Sequence, residues 1–327
     1  MGGPKISGYR IIVAEGIISD VDVENEHLRG RGGEARLASL RAAEDVVRET
    51  KDAHAVVVTL EPLPKEFIEL LGPDLRIIAR AGIGLDAIDL SAARARGIAV
   101  FHTPDYATEE VATHALALML ALNRKLVLAD QLARHEWRSW AKLKPVPPLS
   151  SLTLGIVGLG RIGRAVAQRA AVFAGDIVGF DPLVTEAPPV RMAGTLEELL
   201  AQSDVLTLHL PVTDETRGLI GRRELALLPP GALLVNVSRG ALVDQAALAE
   251  ALRSGRLAGA GLDVLAVEPP PEDDPIVGAP NVILSPHFAW YSDASSRRVR
   301  TMTIDGVLDY LQGRPLSVGR LAVTPEG

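Results

Sequence analysis

Along this chain, short runs of β-branched and aliphatic residues alternate with stretches whose apolar positions recur at helical spacing. Residues 9–14, 54–60, 75–79 and 98–101 predict strands. Between them, residues 34–51 set Leu37, Leu40, Val46 and Val47 among charges and predict a helix. Residues 64–71 predict a shorter one, and Ser91 caps a third that runs to Arg96 and stops at Gly97. From Thr108 to about His135 the pattern predicts one long helix. It is apolar nearly all round at Val111, Ala115, Leu116, Leu118, Met119 and Leu122, which marks a buried helix. A core helix and a core helix that also lines a dimer interface fit this equally. Pro145, Pro147 and Pro148 then make a stiff linker. A second series of strands, 152–157, 176–180, 205–209, 233–237, 260–264 and 282–284, alternates with helices 161–174, 196–202, 222–228 and 245–254. A last helix covers 293–312. Such alternation predicts α/β architecture with largely parallel sheets.

One stretch organises the second series. The strand 152–157 breaks into Gly158-Leu159-Gly160-Arg161-Ile162-Gly163 and then into a helix. Gly158 allows the tight turn, Gly160 the approach of a pyrophosphate, and Gly163 the packing of helix on strand. The helix start at Arg161 and Ile162 offers unpaired N–H groups and a positive dipole end to that anion. Asp181 closes the next strand about 20 residues on, where a carboxylate accepts from ribose hydroxyls. This context makes the glycine pattern a dinucleotide fingerprint. No cation follows Asp181 until Arg191, and a 2′-phosphate would be repelled there, so NAD is expected over NADP.

Bulk composition narrows the class. The 327 residues suggest about two domains, and 47% hydrophobic against 23% charged residues permit a sizeable core. With aromatics at 4%, that core must be aliphatic. A net charge of −7 argues against nucleic acid as a partner. The absence of cysteine removes disulfides and thiolate chemistry. Residues 1–10 lack the apolar region of a signal peptide, and 115–122 is too short to span a bilayer. A cytoplasmic protein with no membrane partner and no metal is expected.

Three residues stand out by position. Arg239, Glu268 and His287 each follow a predicted strand of the second series, at the edge where ligands of an open α/β sheet bind. Their types suit hydride exchange between a nicotinamide and a 2-hydroxy acid or 2-keto acid. A planar arginine fork holds a carboxylate through two parallel hydrogen bonds. An imidazole passes the proton to or from the oxygen. A carboxylate beside that imidazole favours its charged form. Position alone leaves the bland alternatives open: a surface arginine, a loop acid before Pro269, and plain roles for the other histidines. His27, His54 and His135 read as surface or boundary residues, and His114 lies in the long helix.

These motifs carry a resemblance. Arg80-Ala81-Gly82-Ile83-Gly84-Leu85-Asp86, the glycine fingerprint, Asn236-Val237-Ser238-Arg239-Gly240, Gly261-Leu262-Asp263-Val264 leading to Glu268-Pro269, and Ser285-Pro286-His287 occur in the order typical of the D-isomer-specific 2-hydroxyacid dehydrogenases. The chain resembles that family over nearly its full length, with Ala87 where the family usually has asparagine. The resemblance implies two Rossmann-like domains: a doubly wound NAD-binding domain, 103–289, inserted in a flavodoxin-like substrate domain, 1–102 and 290–327. The active site would lie in a cleft that closes to exclude water. It implies Arg239 on the substrate, Glu268 orienting His287, and His287 as acid/base. Arg80, Ala81, Gly82 and Ile83 would complete the substrate pocket. His209, Pro211, Val237 and Asp263 match cofactor-touching positions, to which Thr216 is added, and the expected assembly is a homodimer formed through the cofactor domain.

The segment from Pro286 to Ser292 is similar to the branch that includes the C-terminal-binding-protein corepressors and their bacterial dehydrogenase relatives. Trp290 would then pack at the substrate pocket, with hinge packing as its alternative. Two other readings stand beside the 2-hydroxyacid one. Phosphite or a phosphonate-bearing hydroxy acid would suit an arginine fork as well; formate is disfavoured, because formate-specific relatives carry glutamine where this chain has Glu268. An NAD-sensing, corepressor-like interaction protein is the other.

Overall fold

A computed structural model describes residues 8–325, and the chain forms two compact units. The leader reading of the first residues falls, through residue 7, outside the described ones. One unit runs to Ala107 and resumes at Ser292; the other is Thr108–Tyr291.

The first unit opens with β1 (Tyr9–Ala14), α1 (Asp22–Leu28), β2 (Gly33–Ala38), α2 (Ala43–Thr50) and β3 (Ala55–Val58). It continues with α3 (Lys65–Leu70), β4 (Ile77–Arg80), α4 (Leu90–Ala95) and β5 (Ala99–His102). The second unit carries α5 (Thr108–Asn123), α6 (Leu126–His135), β6 (Thr153–Val157), α7 (Arg161–Ala170), β7 (Asp176–Phe180), β8 (Arg191–Met192) and α8 (Leu196–Gln202). Then come β9 (Val205–Leu208), α9 (Arg222–Leu227), β10 (Ala232–Asn236), α10 (Gln245–Arg253), β11 (Leu257–Leu262) and β12 (Val282–Leu284). The chain returns to the first unit with α11 (Asp293–Leu311) and β13 (Arg320–Val323).

Both sheets are doubly wound. The first has the order β13-β5-β4-β3-β1-β2, parallel except for β13, which pairs antiparallel with β5. Its five parallel strands have the flavodoxin-like winding, while the second sheet, β12-β11-β10-β9-β6-β7-β8, has the dinucleotide-binding one. Strands such as β3, β4 and β10 are buried at every position, which is why they read as continuous apolar runs. Phe101 is the largest fully buried side chain of the first unit. Helix α11 lies on it through Gly306, where a Cβ would come within 2.1 Å of the ring.

Several expectations are corrected here. Residues 34–51 do not form one helix: β2 and α2 divide them. In β2 the exposed Glu34 and Arg36 alternate with Ala35 and Leu37, and an edge strand this short cannot declare its period. The cap of α4 is Asp89, whose carboxylate accepts from the Ala92 N–H at 2.9 Å, while Ser91 Oγ donates to Asp89. The long helix is broken into α5 and α6, bent by 48° at Lys125, whose φ of 51° is left-handed. Helix α5 is pinned by the sheet: Cβ atoms on Gly259 and Gly261 of β11 would lie 3.0 Å and 2.9 Å from Leu122 and Leu118. Helix α6 buries none of its residues in the unit. His54, read as a surface or boundary residue, is buried, and its Nδ1 accepts from the Arg10 N–H.

Helix α1 was hidden in an acidic run, and its charges bind it to α11. Glu24, 1% exposed, accepts from Arg300 at 2.8 Å and 2.5 Å, and Asp20 accepts from the same guanidinium at 2.8 Å. Removing one partner of a buried pair strands the other charge. Glu24→Ala is therefore expected to lower unfolding free energy by about 3 kcal/mol, read from urea unfolding of the first unit; a loss below about 1 kcal/mol would show the pair behaving as an exposed one.

Candidate active site

The site residues of the second unit stand where its strands end. Gly158 follows β6, Asp181 follows β7, His209 follows β9, Val237 and Arg239 follow β10, Asp263 follows β11, and His287 lies just beyond β12. The winding reverses between β6 and β9, and the crevice at such a switch point is where an open α/β sheet binds its ligand.

The three glycines of the fingerprint differ in what they do. Gly158 has φ of 90°, and a Cβ there would sit 2.3 Å from the His209 carbonyl oxygen. A Cβ on Gly163 would sit 2.0 Å from the Gly158 carbonyl oxygen. Both are required by the fold itself. At Gly160, by contrast, a Cβ would meet no heavy atom within 4 Å. Among the described residues nothing demands glycine there, and it is the N-cap of α7, where the first helical N–H groups of Arg161, Ile162 and Gly163 lack intrahelical acceptors. Asp181 lies beside this turn: its carboxylate accepts from the Leu159 N–H at 2.8 Å and the Leu183 N–H at 2.9 Å. An open space before a helix N-terminus, next to a fixed carboxylate, fits the pyrophosphate and ribose of a dinucleotide.

On the other side of the switch point, His209 Nε2 pairs with Thr207 Oγ1 at 2.9 Å, and burial pushes the imidazole down to about 3, so it stays neutral. Pro211 and Thr216 belong to the loop after β9, where the Thr216 hydroxyl donates to the Pro211 carbonyl at 2.8 Å and accepts from the Thr213 N–H at 2.7 Å. Val237 is buried. Arg191, the first cation after Asp181, is engaged elsewhere, donating to Asp176 at 2.6 Å and to Gln202 at 2.9 Å.

Toward the β12 edge, His287 Nδ1 and Glu268 Oε2 are 2.6 Å apart, and Glu268 Oε1 accepts from the Leu265 N–H at 2.8 Å. Burial pushes the Glu268 carboxyl up, but the His287 and Leu265 hydrogen bonds and the charges of His287 and Arg239 outweigh it. The net effect holds the carboxyl below its ordinary range. Arg239 donates to the Ser238 carbonyl at 2.7 Å and is close enough for its charge to act on Glu268. Gly240 explains that closeness: a Cβ there would lie 1.9 Å from the Leu265 carbonyl carbon, so the turn after β10 rests directly on the loop that carries Glu268. Gln245 pins the same loop, accepting from the Ala266 N–H and donating to Asp274. The arginine, the acid and the imidazole are thus brought together within one unit.

Asp263 is 2% exposed, and both its oxygens hold the loop around His287. Sequence reasoning passed over Ser285, His114, Gly240 and Gln245, which support these groups. Ser285 and Gly240 sit inside quoted motifs; His114 and Gln245 give no local signal. Trp290 is half-buried with its ring edge-on to Tyr291, which stacks on Phe288 at 5.1 Å. In the first unit, Arg80 is buried at the end of β4, with its guanidinium donating to the Ala81 carbonyl and lying over Gly82. The Ile83 carbonyl pairs with His102 Nδ1 at 3.0 Å. Among the described residues no cluster of His, Asp and Glu is arranged to hold a metal ion, and no single helix is long and apolar enough to cross a membrane.

Comparison with known proteins places this geometry. The sequence profile described as D-isomer specific 2-hydroxyacid dehydrogenase, NAD binding domain, matches residues 116–289. A glyoxylate reductase from Korarchaeum cryptofilum is 40% identical over 82% of this chain and 82% of its own. A D-3-phosphoglycerate dehydrogenase from Archaeoglobus fulgidus is 34% identical over 94% of this chain, which spans only 58% of that longer protein. Among solved structures, an NADPH-dependent glyoxylate/hydroxypyruvate reductase from Sinorhizobium meliloti, in complex with NADP and malonate, superposes with a TM-score of 0.84 at 34% identity, covering 98% of each chain.

The glycine geometry separates fold from ligand. Gly163→Ala is expected to destabilise the cofactor-free protein by about 2 kcal/mol. Gly160→Ser, which keeps a good N-cap, should change stability by less than about 0.5 kcal/mol while weakening NADH binding at least tenfold. Urea unfolding and NADH fluorescence titration report the two effects; equal stability losses would erase the distinction.

Proposed function

Because the chain belongs to the D-isomer specific 2-hydroxyacid dehydrogenase family, we propose that it is an NAD-dependent oxidoreductase interconverting a small D-2-hydroxy acid and its 2-keto acid. The observation that carries this reading is the His287–Glu268 pair at 2.6 Å with Arg239 acting on the same carboxylate. When bound, the cofactor supplies or accepts the hydride at its nicotinamide ring. Arg239 would take the substrate carboxylate in its planar fork. His287 offers Nε2 to the substrate oxygen, because Nδ1 is turned to Glu268, which fixes the ring and stabilises the imidazolium as it forms. In this reading the second unit holds the cofactor. Its Trp290 is a pocket-packing aromatic, and the turn from Arg80 through Ala81 and Gly82 to Ile83 is the substrate-contacting part of the first unit.

Asp181 and the engagement of Arg191 with Asp176 support NADH over NADPH, although the Sinorhizobium relative uses NADPH. The names of the relatives point to substrates of short tail, such as glyoxylate and hydroxypyruvate.

Oxidation of NADH by the whole protein with glyoxylate, hydroxypyruvate and pyruvate is the direct test, and turnover with at least one is expected. Loss of a charge-assisted fork should make Arg239→Ala lower kcat/KM by roughly 10²–10³-fold with NADH affinity nearly intact. His287→Gln should abolish turnover in a folded protein. Loss of NADH binding in the first variant, or a near-normal rate in the second, would remove the assigned roles.

A homodimer through the cofactor unit is part of the same reading. Helix α6 buries no residue fully in its own unit, its Leu126 and Val127 are exposed, and Trp137 and Trp140 that follow are 86% and 64% exposed. An apolar face of this kind is what a partner covers. Sedimentation should give a dimer, and Trp137→Glu combined with Trp140→Glu should shift it toward monomer; a monomeric parent protein would refute the assembly.

A further inference from the structure

His287 has φ of 54°, in the left-handed region that residues bearing a side chain rarely adopt. Such outliers persist only where their surroundings over-determine them. Here three consecutive N–H groups converge on one residue. The His287 N–H donates to the Asp263 carbonyl at 2.9 Å, the Phe288 N–H to Asp263 Oδ1 at 2.8 Å, and the Ala289 N–H to Oδ2 at 2.9 Å. The His287 N–H is held by main-chain carbonyls, of Asp263 and also of Ser285 at 3.0 Å, whereas the next two N–H groups of the turn depend on the rotamer of a single buried acid.

That rotamer is itself held. Ser285 Oγ donates to Asp263 Oδ1 at 2.6 Å, and His114 Nε2 lies 2.8 Å from the same Oγ. A carboxylate has no hydrogen to give, and the one hydroxyl hydrogen of Ser285 is directed at it. Ser285 must then accept from His114, which places a hydrogen on His114 Nε2. His114 belongs to α5, which is fixed against β11 where Leu118 meets Gly261. The His114 ring also meets Phe288 edge-on, with centroids 6.5 Å apart. A continuous line of donors thus runs from a buried helix, through Ser285, to the acid that shapes the loop after β12.

We propose that His114 and Ser285 are positioning residues for the His287 imidazole, acting through Asp263. They keep the carboxylate in the orientation that receives the Phe288 and Ala289 N–H groups. This holds His287 left-handed, so that its Nδ1 meets Glu268 and its Nε2 keeps a set direction. Without the hydroxyl, Asp263 Oδ1 loses one of its two donors, and the loop can relax toward the extended backbone that His287 would otherwise favour. The proposal rests on the reading of His287 as the acid/base group given above.

Amide hydrogen exchange on the whole protein, with steady-state kinetics using NADH and whichever of the three keto acids turns over fastest, tests it. Ser285→Ala is expected to speed exchange at residues 287–289 at least tenfold, with β10 and α7 unchanged. It should lower kcat about tenfold or more while the keto acid KM and the NADH affinity stay within twofold. Ser285→Thr restores the hydroxyl and should restore both readouts. His114→Phe, which keeps an aromatic edge against Phe288 but removes the donor, should reproduce the Ser285→Ala effect and serves if the latter fails to fold. Unchanged exchange at 287–289 overturns the clamp. Faster exchange with a parental kcat, while His287→Gln is inactive, overturns its role in positioning. If His287→Gln is itself active, or no keto acid turns over, the functional reading falls instead, and exchange alone still decides whether the clamp exists.

Discussion

Main chain pressed on main chain, with no side chain between, is the constraint on which the carboxyl edge of the seven-stranded sheet depends. Gly158 rests against the carbonyl of His209, Gly163 against that of Gly158, and Gly240 against the peptide after Leu265. The first two contacts close the crevice where the winding reverses and set the start of α7 over it. The third brings the Arg239 turn onto the loop of Glu268. Interiors packed to near-crystalline density have no slack to absorb even one added methyl at such points. The spacing of the charged groups is thus a consequence of where the chain has no side chain at all.

Both units are doubly wound, each in its own strand order, and they use the switch point in opposite ways. In the second, the switch point is open beside Gly160. In the first, Glu61 folds back on Thr59, and its carboxylate lies where a Cβ on Gly16 would be, so the ends of β1 and β3 are filled by the chain itself. The winding alone does not confer a nucleotide site; the residues at the strand ends do.

Charge is handled locally throughout. Glu24 is buried and pairs with the half-buried Arg300, Glu268 is partly desolvated and pairs with His287, and burial holds the His209 imidazole neutral. Each follows the rule that a buried ion needs a partner and a lone titratable group goes neutral. Helix α5 buries Val111, Ala115, Leu116, Leu118, Met119 and Leu122, whereas α6 buries no residue fully and leaves Leu126 and Val127 exposed.

Much of this was legible in the chain itself. The strand order of residue types, the glycine turn, Asp181, and the placement of Arg239, Glu268 and His287 after strands are local properties, since a parallel strand buried on both faces and a tight glycine turn leave their mark within a few residues. Elements whose pattern is short or polar were not: β2 and α2 merged into one helix, α1 vanished into acids, and the break at Lys125 is invisible because nothing in its neighbours forbids a helix. Tertiary structure alone decided which distant groups meet. That His114 on α5 reaches Ser285, that Gly240 rests on Leu265, and that Asp263 turns inward to the loop of His287 all depend on the packing of helices on a sheet, and contacts between residues far apart in sequence impose no spacing that a linear reading can detect.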